Sequence, residues 1–330
     1  MPDQLQEIAP FYPLRDLSRP TYQVHLMDRL IHKGIGDELI RRMRTKPLPM
    51  ITSFMLPAIA ADHAGYDPVY CIICDAEISR AWVAKNPRAS RIRYFVPCGR
   101  ALQRLKSYGV PDERIFLTGF PLPEETLGGP NLDILRADLG QRLIHLDPAK
   151  RFHPLHGLNV QHFLGSENFR PATDRPLTLT YAVSGAGAQR ETGQQIAVSL
   201  LRKIATGDIR LNLVAGVRED VRDFFEQVKN DLLPGSPNLQ IIFGADQQDY
   251  FDQFAQVIRT TDILWTKPSE LSFYCGLGIP IIMSSPLGAQ ERFNAKWLME
   301  IQAGIPQDDP RYAAEWLFDL LSEGRLAEAA

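Results

Sequence analysis

Residues 177–204 read LTLTYAVSGAGAQRETGQQIAVSLLRKI, and this stretch predicts a strand, a glycine-containing turn and a helix in that order. The apolar run reaches Val183, and apolar residues return at helical spacing from Ile196 to Ile204. Glycines let a backbone approach a ligand, and the N–H groups that open a helix attract anions. An ordinary strand-to-helix turn has the same pattern, so both interpretations stay open. The turn consists of Ser184, Gly185, Ala186, Gly187, Ala188 and Gln189.

The same alternation of strands and helices continues on both sides of this stretch. Helix-like segments separate the apolar runs, which predicts parallel sheets in an α/β fold. Periodicity weakens between Pro121 and Pro176, where Pro, Gly and Asp accumulate. We therefore predict a domain at 1–125, a linker at 126–175 and a second domain at 176–330. The strand candidates are LPMITSF, VYCIICD, IRYFVP and RIFLT before this stretch, and RLNLVA, LQIIF, DILWT and IPIIM after it.

Bulk composition excludes several classes of protein. The chain has 330 residues and 45% hydrophobic composition, enough for two ordinary cores. Its formal net charge of −3 creates no field that attracts nucleic acid, so we expect no such partner. The sequence contains no apolar run of about 18 residues and no secretory pattern, which favours a cytoplasmic location. The four cysteines do not suggest a disulfide framework.

Polar residues follow several strand candidates. Because the carboxyl ends of parallel strands meet at one edge of a sheet, where open α/β proteins bind ligands, we expect these residues to converge. Ser269 is a predicted N-cap of a helix. Taken singly, each residue also fits a solvated charge or a helix start. The candidates are Arg218, Phe243, Gly244, Lys267, Ser269, Glu270, Gln290, Glu291 and Asn294.

Six segments resemble a known family when they are taken in order. They are LPMITSFMLPAIAA, VYCIICDAEISRAW, IRYFVPCGRALQRLKSYGVPDERIFLTGFPLPEE, YAVSGAGAQ, IIFGADQQDYFDQF and LGAQERFNAKWLMEIQAG. Together they are similar to the inverting GT-B glycosyltransferases related to monogalactosyldiacylglycerol synthase and to the lipid II N-acetylglucosaminyltransferase. The resemblance covers most of the chain. It implies a GT-B fold of two Rossmann-like parallel-sheet domains that face a cleft.

The resemblance also implies roles for individual residues. The donor would be a UDP-sugar, and the acceptor a hydroxyl that is not identified, on a lipid or a glycan. No metal and no further cofactor is expected, because helix ends and cations replace them in such folds. Gly185 to Gln189 would bind the diphosphate, Arg218 would supply a cation, and Phe243 and Gly244 would border the base. Ser269 and Glu270 would lie near phosphate and ribose, and Gln290, Glu291 and Asn294 would bind sugar hydroxyls.

The sequence departs from the family in two places. Glu270 stands earlier than the family's ribose-binding glutamate. The family's opening Gly-rich loop has no counterpart, so the N-terminal domain is predicted to be incomplete. A partner chain that supplies the missing part is one interpretation, and a gene model that begins late is another. Two alternatives to glycosyl transfer therefore stay open: a non-catalytic nucleotide-sugar-binding subunit, and a UDP-sugar epimerase or hydrolase.

Asp75 is the candidate catalytic base, because it ends an apolar strand where the family has an aspartate and a carboxylate can take a hydroxyl proton. A helix cap is the alternative role. Asp75-Ala76-Glu77 imitates a metal-binding D-x-D motif, but the fold context argues against a metal. Cys71 and Cys74 are interpreted as core residues, since side chains three apart on a strand diverge.

Two further patterns concern histidines and basic residues. His145, His153, His156 and His162 have no standard metal-ligand spacing, so packing or solvated roles are expected. The predicted helix from Gln23 to Arg44 is basic and amphipathic, which is typical of a packed helix with a solvated face. Peripheral membrane contact is the less common alternative.

Overall fold

The computed structural model describes residues 16–169, 175–182, 189–286 and 288–330, without the side chains of Glu270 and Ala289. The chain divides into two compact units. The first comprises Met1–Pro121 and Leu287–Asn294, and the second comprises Leu122–Pro286 and Ala295–Ala330. No helix within the described ranges is long and apolar enough to cross a membrane.

A parallel sheet forms the centre of the first unit. Among the described residues it has four strands in the order β1-β2-β3-β4. In the register, Cys71 of β2 pairs with Thr52 on one side and Tyr94 on the other. Apolar side chains from the sheet and its helices make one core. The elements are α1 (Tyr22–His32), α2 (Asp37–Thr45), β1 (Met50–Thr52), α3 (Met55–His63), β2 (Val69–Ile72), β3 (Arg93–Val96), α4 (Gly99–Ser107) and β4 (Ile115–Leu117).

The predicted helix from Gln23 to Arg44 is two helices instead of one. Gly34 and Gly36, with φ of 98° and 96°, lie between α1 and α2 in the left-handed region. A right-handed helix cannot continue through two such residues, and glycine adopts this conformation without a steric penalty. The prediction of a single helix was therefore wrong in its middle.

Three helices occupy most of the segment predicted as a linker. The second of them is anchored by Arg142, whose buried guanidinium donates to the carbonyl oxygens of Thr261 at 2.8 Å and Leu277 at 2.6 Å. Burial lowers the pKa of Arg142 to about 10. This part of the chain thus belongs to the fold of the second unit. The helices are α5 (Glu124–Leu127), α6 (Asp133–His145) and α7 (His153–Leu164).

A larger parallel sheet forms the centre of the second unit. Within the described ranges it has six strands in the order β10-β9-β8-β5-β6-β7. Every residue of β5 is buried, as expected for a central strand covered on both faces. The strands are β5 (Leu177–Ala182), β6 (Ile209–Gly216), β7 (Leu239–Phe243), β8 (Ile263–Thr266), β9 (Ile281–Met283) and β10 (Gly304–Pro306). The helices are α8 (Arg190–Ser199), α9 (Leu201–Thr206), α10 (Glu219–Leu232), α11 (Gln247–Thr260), α12 (Ala289–Glu300), α13 (Ala313–Ser322) and α14 (Arg325–Glu328). Of α12, the residues up to Asn294 belong to the first unit.

A buried ionic network joins the start of β5 to the start of β8. The Asp262 carboxylate accepts hydrogen bonds from both terminal guanidinium nitrogens of Arg175, at 2.7 and 2.8 Å. It also accepts one from the Thr178 N–H at 2.8 Å. His145 Nδ1 lies 3.3 Å from the same carboxylate. Burial raises the pKa of Asp262, but its bonds to His145 and Arg175 outweigh burial, so the net pKa is below the ordinary value. His145 is therefore a member of this buried network.

Candidate functional site

The carboxylate of Asp75 lies just beyond the end of β2 and is held by two amide side chains of α12. Asn294 Nδ2 donates to Asp75 Oδ1 at 3.1 Å, and Gln290 Nε2 donates to Asp75 Oδ2. Residues four apart on a helix share one face, which is why both amides reach the same carboxylate. All three residues belong to the first unit. The structure thus brings together three of the predicted site residues.

Asn294 makes a second contact with the same loop. Its Oδ1 accepts the backbone N–H of Ala76 at 2.9 Å, so the carboxamide uses its donor and its acceptor on adjacent residues. Only 2% of Asn294 is exposed, whereas Gln290 is exposed. Asn294 is therefore a fixed support for Asp75, and Gln290 is the partner that solvent or a ligand can reach.

The neighbouring Glu77 is occupied by a salt bridge. Its carboxylate accepts Arg104 Nε at 2.7 Å and Nη2 at 2.6 Å, and Glu77 itself is buried. The hydrogen bond to Glu77 raises the pKa of Arg104. Glu77 therefore has no role in a D-x-D metal motif. Over the part of the chain that the structure describes, no group of three or more His, Cys, Asp or Glu residues could hold a metal ion.

Further hydrogen bonds hold the rest of the loop after β2. The Tyr108 hydroxyl donates to the Ile78 carbonyl at 2.9 Å, and the Tyr94 hydroxyl donates to the Trp82 carbonyl at 3.1 Å. Arg80, which is also buried, donates to the Val83 carbonyl at 2.7 Å. Asp75 therefore stands on a loop whose backbone is fixed by side chains on several elements, and this reduces the reorganisation that its chemistry would require.

The carboxyl edge of the six-stranded sheet collects the predicted donor-binding positions of the second unit. Ala182 pairs with Val214 on one side and with Thr266 on the other, so neighbouring strands end at similar heights. Since these strands are parallel, the residues that follow them lie along one edge. They are Arg218 after β6, Gly244 after β7 and Lys267 after β8. The turn that follows β5, with Ser184, Gly185, Ala186, Gly187 and Ala188, lies outside the described residues.

Gln189 and Arg218 are held by protein groups. Gln189 has φ of 74°, and its carbonyl oxygen accepts the Tyr181 hydroxyl at 2.7 Å just before α8 begins. The Arg218 guanidinium binds both carboxylate oxygens of Asp220 at 3.0 Å on an exposed surface. A phosphate would therefore have to share this cation with Asp220 or displace it. Phosphate binding by Arg218 stays a prediction, and it requires that Asp220 share or release the guanidinium.

Phe243 and Gly244 lie where the chain passes from β7 to α11. The Arg222 guanidinium lies 4.6 Å from the centroid of the Phe243 ring, a cation–π contact. Gly244 donates its N–H to the Gly216 carbonyl at 2.9 Å, and a Cβ at this position would overlap the backbone of Tyr250. The glycine is thus required by a close approach of two backbone segments.

The segment after β8 differs from its prediction. Glu270–Leu277 is a 3-10 helix, and the Ser269 side chain makes no capping hydrogen bond. Ser269 instead donates its backbone N–H to the Lys267 carbonyl at 2.7 Å in a tight turn. Ser269 thus occupies the predicted N-cap position, but with φ of −114° and ψ of −147° its side chain supplies no capping bond. The Glu270 side chain lies outside the described atoms, and Glu291 is half-buried in the first turn of α12.

Of the other sequence candidates, two histidines are exposed and lie against aromatic rings, and Cys71 lies in the core. His153 stacks on Phe169, and His162 lies edge-on to Phe163. Cys71 is a buried thiol whose pKa is raised by burial to about 12, which makes it unreactive. No sequence pattern indicates the bonds that Glu77 makes with Arg104 or Asp75 with Asn294, because the partners are distant in the chain.

Comparison with known proteins identifies the fold. No family model matches the sequence, and no curated protein matches it. Several solved structures do match. The UDP-GlcNAc 2-epimerase from Neisseria meningitidis bound to UDP-GlcNAc has 13% identity and a TM-score of 0.53 over 92% of this chain and 76% of its own. A putative UDP-N-acetylglucosamine 2-epimerase from Listeria monocytogenes has 16% identity and a TM-score of 0.51 over 99% and 81%.

A glycosyltransferase of kitacinnamycin also matches, with 13% identity and a TM-score of 0.50 over 96% of this chain and 79% of its own. At such identities the likeness shows the fold alone. The two α/β units with parallel sheets match these GT-B-like neighbours, which confirms the predicted fold class. The finer resemblance to the monogalactosyldiacylglycerol synthase family stays a prediction.

Proposed function

We propose that this chain is an inverting glycosyltransferase that moves a hexosyl unit from a UDP-sugar to a hydroxyl acceptor. The observation that carries the proposal is the contact of the Asp75 carboxylate with Gln290 and Asn294. The candidate base and Gln290, which is expected to bind sugar hydroxyls, thus share one place at the end of β2, and Asn294 is their buried support. A structural neighbour bound to UDP-GlcNAc supports a nucleotide-sugar as the ligand class.

Each of the three side chains has its own role in the removal of the acceptor proton. Asn294, buried and bonded to two residues, keeps the carboxylate oriented. Gln290 is exposed, so an acceptor hydroxyl can replace its amide as the second donor to Asp75. Asp75 then takes the hydroxyl proton while the acceptor oxygen bonds to the anomeric carbon. The bond from that carbon to the diphosphate oxygen breaks, and UDP leaves with the electron pair.

The carboxyl edge of the six-stranded sheet is the proposed donor site. Its main group would be the turn Ser184 to Ala188, which precedes α8 and whose N–H groups would bind the diphosphate. Arg218 would add a cation after exchanging Asp220 for a phosphate. Phe243 and Gly244 would border the base, and Lys267, Ser269 and Glu270 would complete the part of the site in the second unit. No metal ion is required, because these groups would neutralise the leaving diphosphate.

Epimerisation of a UDP-sugar is the second candidate function. Epimerases among the structural neighbours favour it. In that reaction Asp75 would remove a proton from the sugar ring, and a second group would return one to the opposite face. Glu77 does not suit that second role, because its carboxylate is bound to Arg104. A nucleotide-sugar-binding subunit completed by a partner chain is the non-catalytic alternative.

Turnover measurements separate these functions. UDP-glucose, UDP-galactose and UDP-GlcNAc are each incubated with the full chain, mixed glycan and lipid acceptors, and EDTA. Transfer predicts release of UDP that EDTA does not reduce, and Asp75→Asn should lower the rate by about 10²–10⁴-fold. Asp112→Asn is the matched control, since Asp112 is exposed and bonded to Lys106 in the same unit.

Three results would refute the proposed transfer. Equal rates for wild type and Asp75→Asn would exclude Asp75 as the catalytic base. An isomerised sugar nucleotide without UDP release, detected by NMR, would assign the epimerase. Binding of UDP without any turnover would assign the non-catalytic subunit.

Calorimetry with UDP tests the donor site separately. Gly187→Asp places a carboxylate in the turn predicted to bind phosphate, so its affinity for UDP should fall by tenfold or more, on the order of 1.4 kcal/mol. Asn230→Asp introduces the same charge on an exposed position of α10 and should leave the affinity unchanged. Unchanged affinity in Gly187→Asp would place the diphosphate elsewhere.

A further inference from the structure

Two histidines meet at the ends of two helices in the first unit. His32 is the last residue of α1 and His63 is the last residue of α3. Their Nε2 atoms are 3.3 Å apart, and the rings approach edge to face at 65° with centroids 4.4 Å apart. Both side chains are exposed. Neither residue belongs to the site described above.

The protonation of His32 follows from its other ring nitrogen. His32 Nδ1 lies 2.7 Å from the backbone carbonyl oxygen of Asp28, and a carbonyl oxygen can only accept. The proton therefore sits on Nδ1, and Nε2 presents a lone pair. Metal-ligating histidines are oriented in this way by a carbonyl or carboxylate on the second nitrogen.

The separation of the two Nε2 atoms suits a shared metal ion. Tetrahedral Zn²⁺ with Zn–N bonds of about 2.0–2.1 Å places two nitrogen ligands about 3.3–3.4 Å apart. The same 3.3 Å separation fits a hydrogen bond in which His63 Nε2–H donates to the His32 lone pair, and an ion would replace that bond. We propose that His32 and His63 form a binding site for a divalent transition-metal ion of the Zn²⁺ type.

The surrounding groups leave the imidazoles as the ligands of the ion. Both helices end here, and the carboxyl end of a helix carries partial negative charge. The Asp28 carboxylate is bonded to Lys85 at 2.8 Å, and Arg44 donates to the Ala64 carbonyl at 2.6 Å. Among the described residues no third His, Cys, Asp or Glu completes a cluster. Water would therefore fill the other positions, so the ion is exchangeable and ties α1 to α3.

Calorimetric titration of ZnCl₂ into the full chain at pH 7.5 tests the site. We expect one ion per chain at this site. His32→Ala and His63→Ala should each weaken its binding by about tenfold or more, since loss of even an outer-shell partner costs on the order of 10–100-fold. His25→Ala is the matched control, because His25 is an exposed histidine of α1. Its affinity should equal that of the wild type.

A second readout locates the ion. Zn²⁺ should slow hydrogen exchange in the last turns of both α1 and α3 in the wild type, and not in His32→Ala. Zn²⁺ binding that survives both substitutions, or that falls equally in His25→Ala, would overturn the proposal. All three side chains are exposed, so the folded state of each variant is checked by its circular dichroism before titration.

Discussion

Replacing Asn294 by alanine should loosen the loop that carries Asp75. The substitution removes the acceptor for the Ala76 N–H, and Ala76 is completely buried. A buried donor without a partner costs about 1–3 kcal/mol, and the lost bond to a carboxylate costs about 1.5–3 kcal/mol. Asp75 is partly exposed, so water recovers part of the second loss. We expect a local destabilisation of about 2–4 kcal/mol, equivalent to an opening of the loop that is roughly 30- to 1000-fold more frequent.

Amide hydrogen exchange at Ala76 measures that opening directly. Its protection should fall by the same factor in Asn294→Ala. Gln290→Ala is the matched control: it removes another amide from Asp75, but an exposed one, and should change stability by less than about 0.5 kcal/mol. Protection of Ala76 in Asn294→Ala within about threefold of the wild type would correspond to under 0.7 kcal/mol and would refute the supporting role.

The substitution Asn294→Asp keeps one hydrogen bond of the Asn294 side chain and removes the other. A carboxylate can still accept from Ala76, but it faces the Asp75 carboxylate where the amide donated at 3.1 Å. Two carboxylates that share a site raise the pKa of one of them. A group whose pKa is higher in the folded than in the unfolded protein stabilises the folded state at acid pH, and this contribution is lost as the pH rises through the folded-state pKa. The stability that Asn294→Asp loses relative to the wild type, measured by urea titration, should therefore be larger at pH 7 than at pH 4; the opposite order would contradict the expected repulsion.

Three further predictions concern stability. Arg104→Met should destabilise the first unit by about 3–5 kcal/mol because it leaves Glu77 buried and unpaired, and adding Glu77→Gln should recover most of the loss; urea denaturation measures both. The lowered pKa of Asp262 stabilises the protein above its unfolded pKa, and this contribution is lost as the pH falls through the folded value. As the pH falls below about 4, the unfolding temperature of Asp262→Asn should consequently change less than that of the wild type. Parallel curves of unfolding temperature against pH would contradict this. Gly244→Ala should lower the unfolding midpoint, by about 1–3 kcal/mol in free energy, while Gly99→Ala, which meets nothing within 4 Å, should not.

The strands were predictable because each is a short apolar run with a turn signal after it. Every strand predicted from such a run has a counterpart in the structure. The strand that was missed, β10, covers only Gly304–Pro306 and contains a glycine and a proline, so it has no run to detect. The break between α1 and α2 was also missed, although Gly34 and Gly36 mark it, because the apolar spacing continues across both.

The site was predictable in its residues but not in its bonds. Asp75 and Asn294 are 219 positions apart, and no periodicity connects them. Similarly, a sequence pattern shows an acidic pair at Asp75 and Glu77, but only the packing of α4 reveals that Arg104 occupies Glu77. Side-chain partners depend on tertiary contacts, so strand ends can be read from sequence while hydrogen-bond networks cannot.

The return of the chain to the first unit at Leu287–Asn294 has a practical consequence for dissecting this protein. A fragment that stops at Pro121 would contain Asp75 but neither of its amide partners. Residues 288–300, added as a synthetic peptide, should restore protection of the Ala76 amide in that fragment by complementation in trans. The first unit thus includes a short segment that is encoded far downstream of the rest.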